Sequence, residues 1–274
     1  MHYIKPFDPW KSRLCTCPPK YSFNPYTGCS HRCVYCYATY IPHFEQIRLK
    51  KNLFKKLEKD LQKLPKNALI SMSNSSDPYP PIEKDLEITR KCLEIMKDYD
   101  VRVLIVTKGV IFTRDLKLLS EMRSAVSVTI TGCDKAELSA PKTEERIKAF
   151  KELKDYGIPA ILRFDPIIPY LNEDKVWIIE RCEPDHVVTS TLKLRRDIFS
   201  RFTKVFPELR DMYKRIYFVE GEKIGSYYYL NKFKRLKMLS RVEEFCKEIG
   251  ITCAFCREGF EFKAESCDGS HLIR

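Results

Sequence analysis

Short β-rich apolar runs alternate along this chain with longer amphipathic stretches, and few folds satisfy that alternation. The short runs are residues 68–73, 101–107, 125–131, 159–164, 186–190, 216–219 and 251–255, and they predict strands. Between them, 44–64 places Leu49, Leu53, Leu57, Leu61 and Leu64 at steps of three and four, which makes one helical face apolar. Residues 84–99, 113–122, 143–156 and 228–249 carry charges on one face and predict further helices. The strands follow one another at about 25 to 35 residues, the length of a βα unit. Repeated βα units imply a parallel sheet with helices outside it. The expected fold is α/β: a partial (β/α)6-type, TIM-like barrel with parallel strands, plus a cysteine-containing C-terminal extension. Residues 22–26 supply a candidate further strand. No linker interrupts the chain, so 1–20 reads as an N-terminal segment with a cysteine pair, 21–220 as the partial barrel, and 221–274 as the extension packed on it.

In a βα barrel the chemistry sits at the C-terminal ends of the strands, and the polar residues obey that rule. Ser73-Asn74-Ser75-Ser76-Asp77, Thr107-Lys108, Thr129-Ile130-Thr131, Arg163-Phe164-Asp165, Thr189-Ser190-Thr191 and Glu220 each end a predicted strand. Thr113, Ser139 and Asp197 read as helix N-caps instead. The run Asp77-Pro78-Tyr79-Pro80-Pro81 is a rigid loop beside this mouth. The segment 192–215 reads as a basic flap or an ordinary helical connection.

Cys29, Cys33 and Cys36 lie within one short stretch, at the spacing C-x3-C-x2-C. Three thiolates can hold an iron cube while leaving one iron open, since a fully ligated cluster takes four cysteines. The competing readings are three buried thiols or half of a zinc site. Twelve cysteines would suit a secreted disulfide framework, but Met1-His2-Tyr3-Ile4-Lys5-Pro6 lacks the apolar core of a leader. No run of about 18 apolar residues exists, so no membrane is expected and the protein is expected in the cytoplasm. Clustered cysteines there suggest metal. The net charge of +12 attracts phosphate backbones and points to nucleic acid as a partner. A solvated lysine-rich surface is the competing reading, because the 49 Lys and Arg are spread along the chain.

The triplet, with Tyr35 before its last cysteine and Tyr37 after it, resembles the signature of the radical S-adenosylmethionine (SAM) enzymes. The likeness is nearest to the branch containing spore photoproduct lyase, carried also by Asn74-Ser75-Ser76-Asp77, Val106-Thr107-Lys108 and Ser127-Val128-Thr129-Ile130. The resemblance implies a [4Fe–4S] cluster on Cys29, Cys33 and Cys36 that reductively cleaves SAM to a 5′-deoxyadenosyl radical, which abstracts hydrogen from a substrate. It implies an electron donor protein as partner and leaves the reaction class open among lyases, transferases and oxidoreductases. Ser76 and Thr129 match positions that contact SAM in that family, and Lys108 matches a lysine near its carboxylate. Tyr35 can pack beside adenine, and Arg163 can position SAM or the substrate. One departure stands out: the lyase carries a hydrogen-donating cysteine in a Cys-x-Ser-Asp segment, and here Asn74 takes its place. Thymine-dimer repair therefore does not follow, and Tyr35, Tyr37 or another cysteine would have to act as donor.

The remaining cysteines fall near the two ends. Cys253-x2-Cys256 is followed by Cys267-Asp268-Gly269-Ser270-His271, which looks like the CDGSH iron–sulfur motif, and Cys15 and Cys17 precede the triplet. A second metal site, iron–sulfur or zinc, is expected from Cys15, Cys17, Cys253, Cys256, Cys267 and His271. Metal-free structural thiols are the competing reading. Cys92, Cys133, Cys182 and Cys246 read as buried core thiols. A different class of function also fits these features: a non-catalytic iron–sulfur or zinc protein that binds nucleic acid.

Overall fold

The computed structural model describes residues 2–7 and 12–274. One sheet dominates it. Its strands are β1 (Lys5–Pro6), β2 (Tyr21–Phe23), β3 (Ala68–Met72), β4 (Val101–Thr107), β5 (Ser124–Thr129), β6 (Ala160–Ile167) and β7 (His186–Thr191). A small hairpin, β8 (Glu222–Ile224) with β9 (Tyr227–Tyr229), stands apart, and β10 (Thr252–Phe255) returns to the main sheet beside β7. From β2 through β7 to β10 every pairing is parallel; only β1 runs antiparallel, at one edge. The sheet is an open, TIM-like partial barrel of α/β type. No helix among the described residues is long and apolar enough to cross a membrane.

The alternation of side chains along each strand separates two environments. Ile70, Met72, Val103, Ile105, Val126, Val128, Leu162 and Val187 face the surrounding helices in the main core. Leu69, Leu104, Ala125, Ile161 and Val188 face the other way and close over Ile273 from the C-terminal tail. Two or four residues further along the same strands come Ser71, Val106, Lys108, Thr129, Arg163, Asp165 and Ser190, and all of these line a cavity. The inner face is thus apolar at its floor and polar toward the C-terminal strand ends.

Several predicted elements differ. Residues 216–219 form no strand; they belong to a π-helical turn, Lys214–Val219, that continues the helix Arg210–Tyr213. Tyr213 and Tyr217, four apart, are buried there, and a short apolar run cannot by itself distinguish strand from buried helix. Glu220 therefore pairs with Lys234 at the surface, 2.8 Å away, not at the barrel mouth. The predicted helix 44–64 shrinks to Leu53–Leu61, and the stretch before it lies against the triplet loop. The last long helix starts at Lys232, where Asn231 accepts a bond from Lys234 N at 2.9 Å. Thr113 sits inside a 3-10 turn, Lys142 precedes the helix Thr143–Asp155, and Asp197 lies in the first turn of Arg196–Val205 after Arg195. None of the three proposed caps holds its position. Residues 192–215 are mostly helical and dock onto the triplet loop through a second core around Val34, Ala136, Phe202 and Tyr213.

Candidate functional site

The triplet loop is fastened on three sides. Cys29 N donates to Phe44 O at 2.7 Å, and Thr27 bridges to Arg48. Val34 N donates to Ala136 O at 2.9 Å. Arg201 donates to Cys36 O at 2.7 Å and Arg195 to Tyr37 O at 3.0 Å. Gly28 makes the first fastening possible. Its φ is +89°, and a Cβ there would stand 2.2 Å from Gln46 O, so no side chain fits. Cys29, Cys33 and Cys36 are free, half-buried thiols that line the cavity. Burial pushes all three up, Cys29 to about 12, while the Lys108 ammonium opposes the shift at each. Among the described residues, no three His, Cys, Asp or Glu donors already converge as ligands of one ion. The fit to an iron cube lies in donor type and placement: three soft thiols, a facing lysine, and open space beyond them.

That space is a cavity of about 330 Å³. Its lining includes Tyr35, Ser76, Lys108, Thr129 and Arg163 together with the triplet. Two buried carboxylates set the lysine in place. Asp77 accepts from Tyr79 N (2.9 Å), Thr107 Oγ1 (2.7 Å) and Lys108 N (2.7 Å), with His31 Nε2 at 3.1 Å. Burial alone would push its carboxyl up; the His31 imidazole and these bonds outweigh that and hold it at about 2. Asp77 thus ties the triplet loop and the β3 end to the β4 end. Glu137 takes the other flank, accepting from the Tyr35 hydroxyl and the Arg146 guanidinium, with Lys108 Nζ 3.8 Å away. Burial opposes its charge too, and Arg146 and Lys108 hold the carboxyl below the usual range. Ser76 Oγ donates to Tyr26 O at 3.1 Å, and Arg146 donates to Thr129 O at 2.8 Å. Arg163 lies further along, 2.9 Å from Asp165 Oδ2.

Asn74 is occupied structurally. Its amide nitrogen donates to Ser22 Oγ (2.9 Å) and Ser71 O (3.1 Å), and its oxygen accepts from Ser71 Oγ (2.9 Å). Tyr37 donates its hydroxyl to Asn74 O and lines the cavity beside Tyr227 and Arg257. Sequence reasoning missed the supports Glu137, Arg146 and Glu258. Glu137 follows the β5 loop and Glu258 follows β10, where charged residues are ordinary. Glu258 accepts from Thr191 N, Lys193 Nζ and Arg235 Nη1 at 2.7, 2.8 and 3.1 Å.

Four of the six residues expected at a second metal site also face this cavity: Cys15, Cys17, Cys256 and Cys267. The Sγ atoms of Cys17 and Cys267 are 3.4 Å apart. Cys253 does not join them. Alternation along β10 turns it away from Cys256 into the main core, the cluster that also holds Cys246. His271 is also turned away, edge-on to His186 at 5.3 Å and bonded to Ser266 at 2.7 Å.

The family model of the radical SAM superfamily matches residues 23–181, more than half of the chain. An uncharacterized protein of Methanocaldococcus jannaschii is 35% identical over 177 residues, covering 60% of this chain and 66% of that protein. One from Acidianus two-tailed virus is 29% identical over 164 residues, covering 52% and 54%. The chain spans between half and two thirds of the length of these relatives. Among solved structures it is similar to a doubly substituted spore photoproduct lyase with bound AdoMet and dinucleoside spore photoproduct. The TM-score is 0.68 at 15% identity, over 92% of this chain and 79% of that one. The lyase complexed with the same dinucleoside gives 0.63 at 16% identity, over 86% and 75%. At such identities the likeness is one of fold.

Proposed function

The chain belongs to the radical SAM superfamily, and from that premise we propose that it holds a [4Fe–4S] cluster on Cys29, Cys33 and Cys36 and cleaves S-adenosylmethionine reductively. One observation carries the reading: the triplet and Tyr35, Ser76, Lys108, Thr129 and Arg163, which come from five separate segments, line one cavity. When bound, the cluster supplies an open iron and an electron, and SAM supplies a 5′-deoxyadenosyl group able to abstract hydrogen. The chain does the rest. Lys108, fixed through its backbone by Asp77 and flanked by Glu137, neutralises the SAM carboxylate. The Ser76 and Thr129 hydroxyls bond to its amine or ribose, and the Tyr35 ring packs beside adenine. Arg163 faces the far part of the cavity and serves the substrate.

The substrate side favours nucleic acid. Arg163, Lys193 and Arg257 line it together with the aromatic rings of Tyr37 and Tyr227, a set that suits phosphate and stacked bases. The lyase neighbours are described with dinucleoside spore photoproduct, which supports the same class. Asn74, locked by its amide bonds, carries no thiol to return hydrogen, so the reaction need not be that repair. An electron donor protein delivers the electron, and free thiols throughout suit the reducing cytoplasm.

The test is anaerobic reconstitution, reduction and addition of SAM. 5′-Deoxyadenosine should form, and Cys29→Ala/Cys33→Ala/Cys36→Ala should abolish it. A cluster-loaded protein that forms none refutes the enzyme and leaves the non-catalytic nucleic-acid-binding alternative.

A further inference from the structure

The thiols at the far end of the cavity take no part in the chemistry above, and the strand order gives them a place. The main sheet is open, with β1 and β2 toward one edge and β10 at the other. Cys15 and Cys17 precede β2, and Cys256 directly follows β10. The two edges meet through these segments. Lys20 and Asp268 form a buried ion pair across the junction, with side chains 3% and 5% exposed. Cys17 touches Cys267 there, and Cys15 lies two residues before it.

We propose that Cys15, Cys17, Cys256 and Cys267 bind a thiophilic metal centre that clasps the first and last parallel strands of the barrel. Two observations support it. The first is donor type: four free thiols from three chain segments face one cavity, the set that zinc or an iron–sulfur cluster takes. The second is spacing. Sulfurs on one tetrahedral ion stand about 3.8 Å apart, given metal–sulfur bonds of ~2.3 Å. The 3.4 Å between Cys17 and Cys267 is near that edge and far from the ~2.05 Å of a disulfide.

The anchoring of the segments adds specificity. Cys256 N donates to Thr189 O at 2.8 Å, which extends the β10 pairing by one residue. Gly269, at φ +79°, packs so closely that a Cβ would meet Ile161 Cδ1 at 2.6 Å, and this holds the turn carrying Cys267 against the barrel. Between Cys256 and Gly269 the chain forms no helix or strand, the loop-rich context in which a metal contributes order. Binding would draw the four sulfurs onto one centre.

The site is independent of the SAM reading, and the test separates them. Cys29→Ala/Cys33→Ala/Cys36→Ala protein is purified anaerobically, and its zinc and iron are counted by mass spectrometry. About one zinc per chain identifies a single ion; about four irons with a cluster absorption identify a cube; either supports the clasp. Folded protein, by circular dichroism, with neither metal overturns it. Thiol alkylation followed by peptide mapping covers variants that do not fold. In the native chain these four cysteines should resist labelling until a chelator is added. Labelling without chelator, or a Cys17–Cys267 disulfide, overturns the proposal. Cys267→Ser should lose the metal, whereas Cys253→Ser should keep it; the opposite pattern assigns the ligands wrongly and also overturns it.

Discussion

Removing the Arg146 guanidinium should cost more stability than any change of similar size at the surface. Arg146 and Glu137 are both fully buried. Arg146 donates to the Glu137 carboxylate and, at 2.8 Å, to Thr129 O. In Arg146→Met the carboxylate keeps only the Tyr35 hydroxyl and Lys108 at 3.8 Å. Breaking a buried pair on one side typically costs about 3–5 kcal/mol, and an orphaned carbonyl about 1–3 kcal/mol. The two overlap, so we expect about 4 kcal/mol by denaturant unfolding at pH 7. The pH dependence identifies the cause. In the native protein Glu137 titrates below the usual range; without Arg146, burial dominates and raises it. The folded variant then takes up a proton that the unfolded chain lacks, so its deficit should shrink toward pH 5 and grow toward pH 8. Adding Glu137→Gln, which removes the charge but keeps an acceptor for Tyr35, should recover about half of the loss. A deficit under about 1 kcal/mol, or a double variant no better than the single, refutes this account. Because Cys33 bridges Glu137 and Val34 bonds to Ala136, iron retention should fall with the same variant.

Gly28→Ala should lower stability by about 2–3 kcal/mol and abolish iron loading, given its positive φ and the carbonyl beside it; unfolding and iron counts check both. Lys108→Met should weaken SAM binding by about 10- to 150-fold in calorimetry, the worth of a charge-assisted bond; a change under threefold removes Lys108 from the site. Burial, with His271 nearby, lowers His186 to about 4 from an ordinary value of 6.5. The unfolded chain therefore binds more protons between those values, and stability is complete above pH 6.5 and declines as pH falls through 4, by about 3 kcal/mol in all. His186→Gln should flatten that part of the pH profile, and an unchanged slope refutes the assignment.

The parallel sheet was legible because its strands differ from their neighbours in period and length. Lys108 and Thr129 could be placed because each stands at the end of such a strand, whereas Arg163 lies midway along β6 and reaches the cavity through the alternation of that strand. The π-helical turn at Lys214–Val219 could not be read, since its apolar run is as short as a strand. The supporting carboxylates were hidden for another reason. Glu137 and Glu258 gain their roles from Arg146, Lys108, Lys193 and Arg235, which are distant in sequence, and a charged residue alone gives no sign of burial. The terminal thiols fall between these cases. The residue types led to the expectation of a metal, but only strand alternation shows that Cys256 faces the cavity while Cys253 faces the core.

The layered inner face of the barrel has a consequence for how such a chain can change. Leu69, Leu104, Ala125, Ile161 and Val188 form a floor around Ile273, where each lost methylene leaves a void. Ser71, Val106, Arg163 and Ser190, one step up the same strands, line the cavity, so a change of size there meets open space on one side. Tolerance to a change of side-chain size should therefore rise within two residues along these strands. A lineage could alter its substrate by drift in the upper layer while selection keeps the lower one nearly invariant.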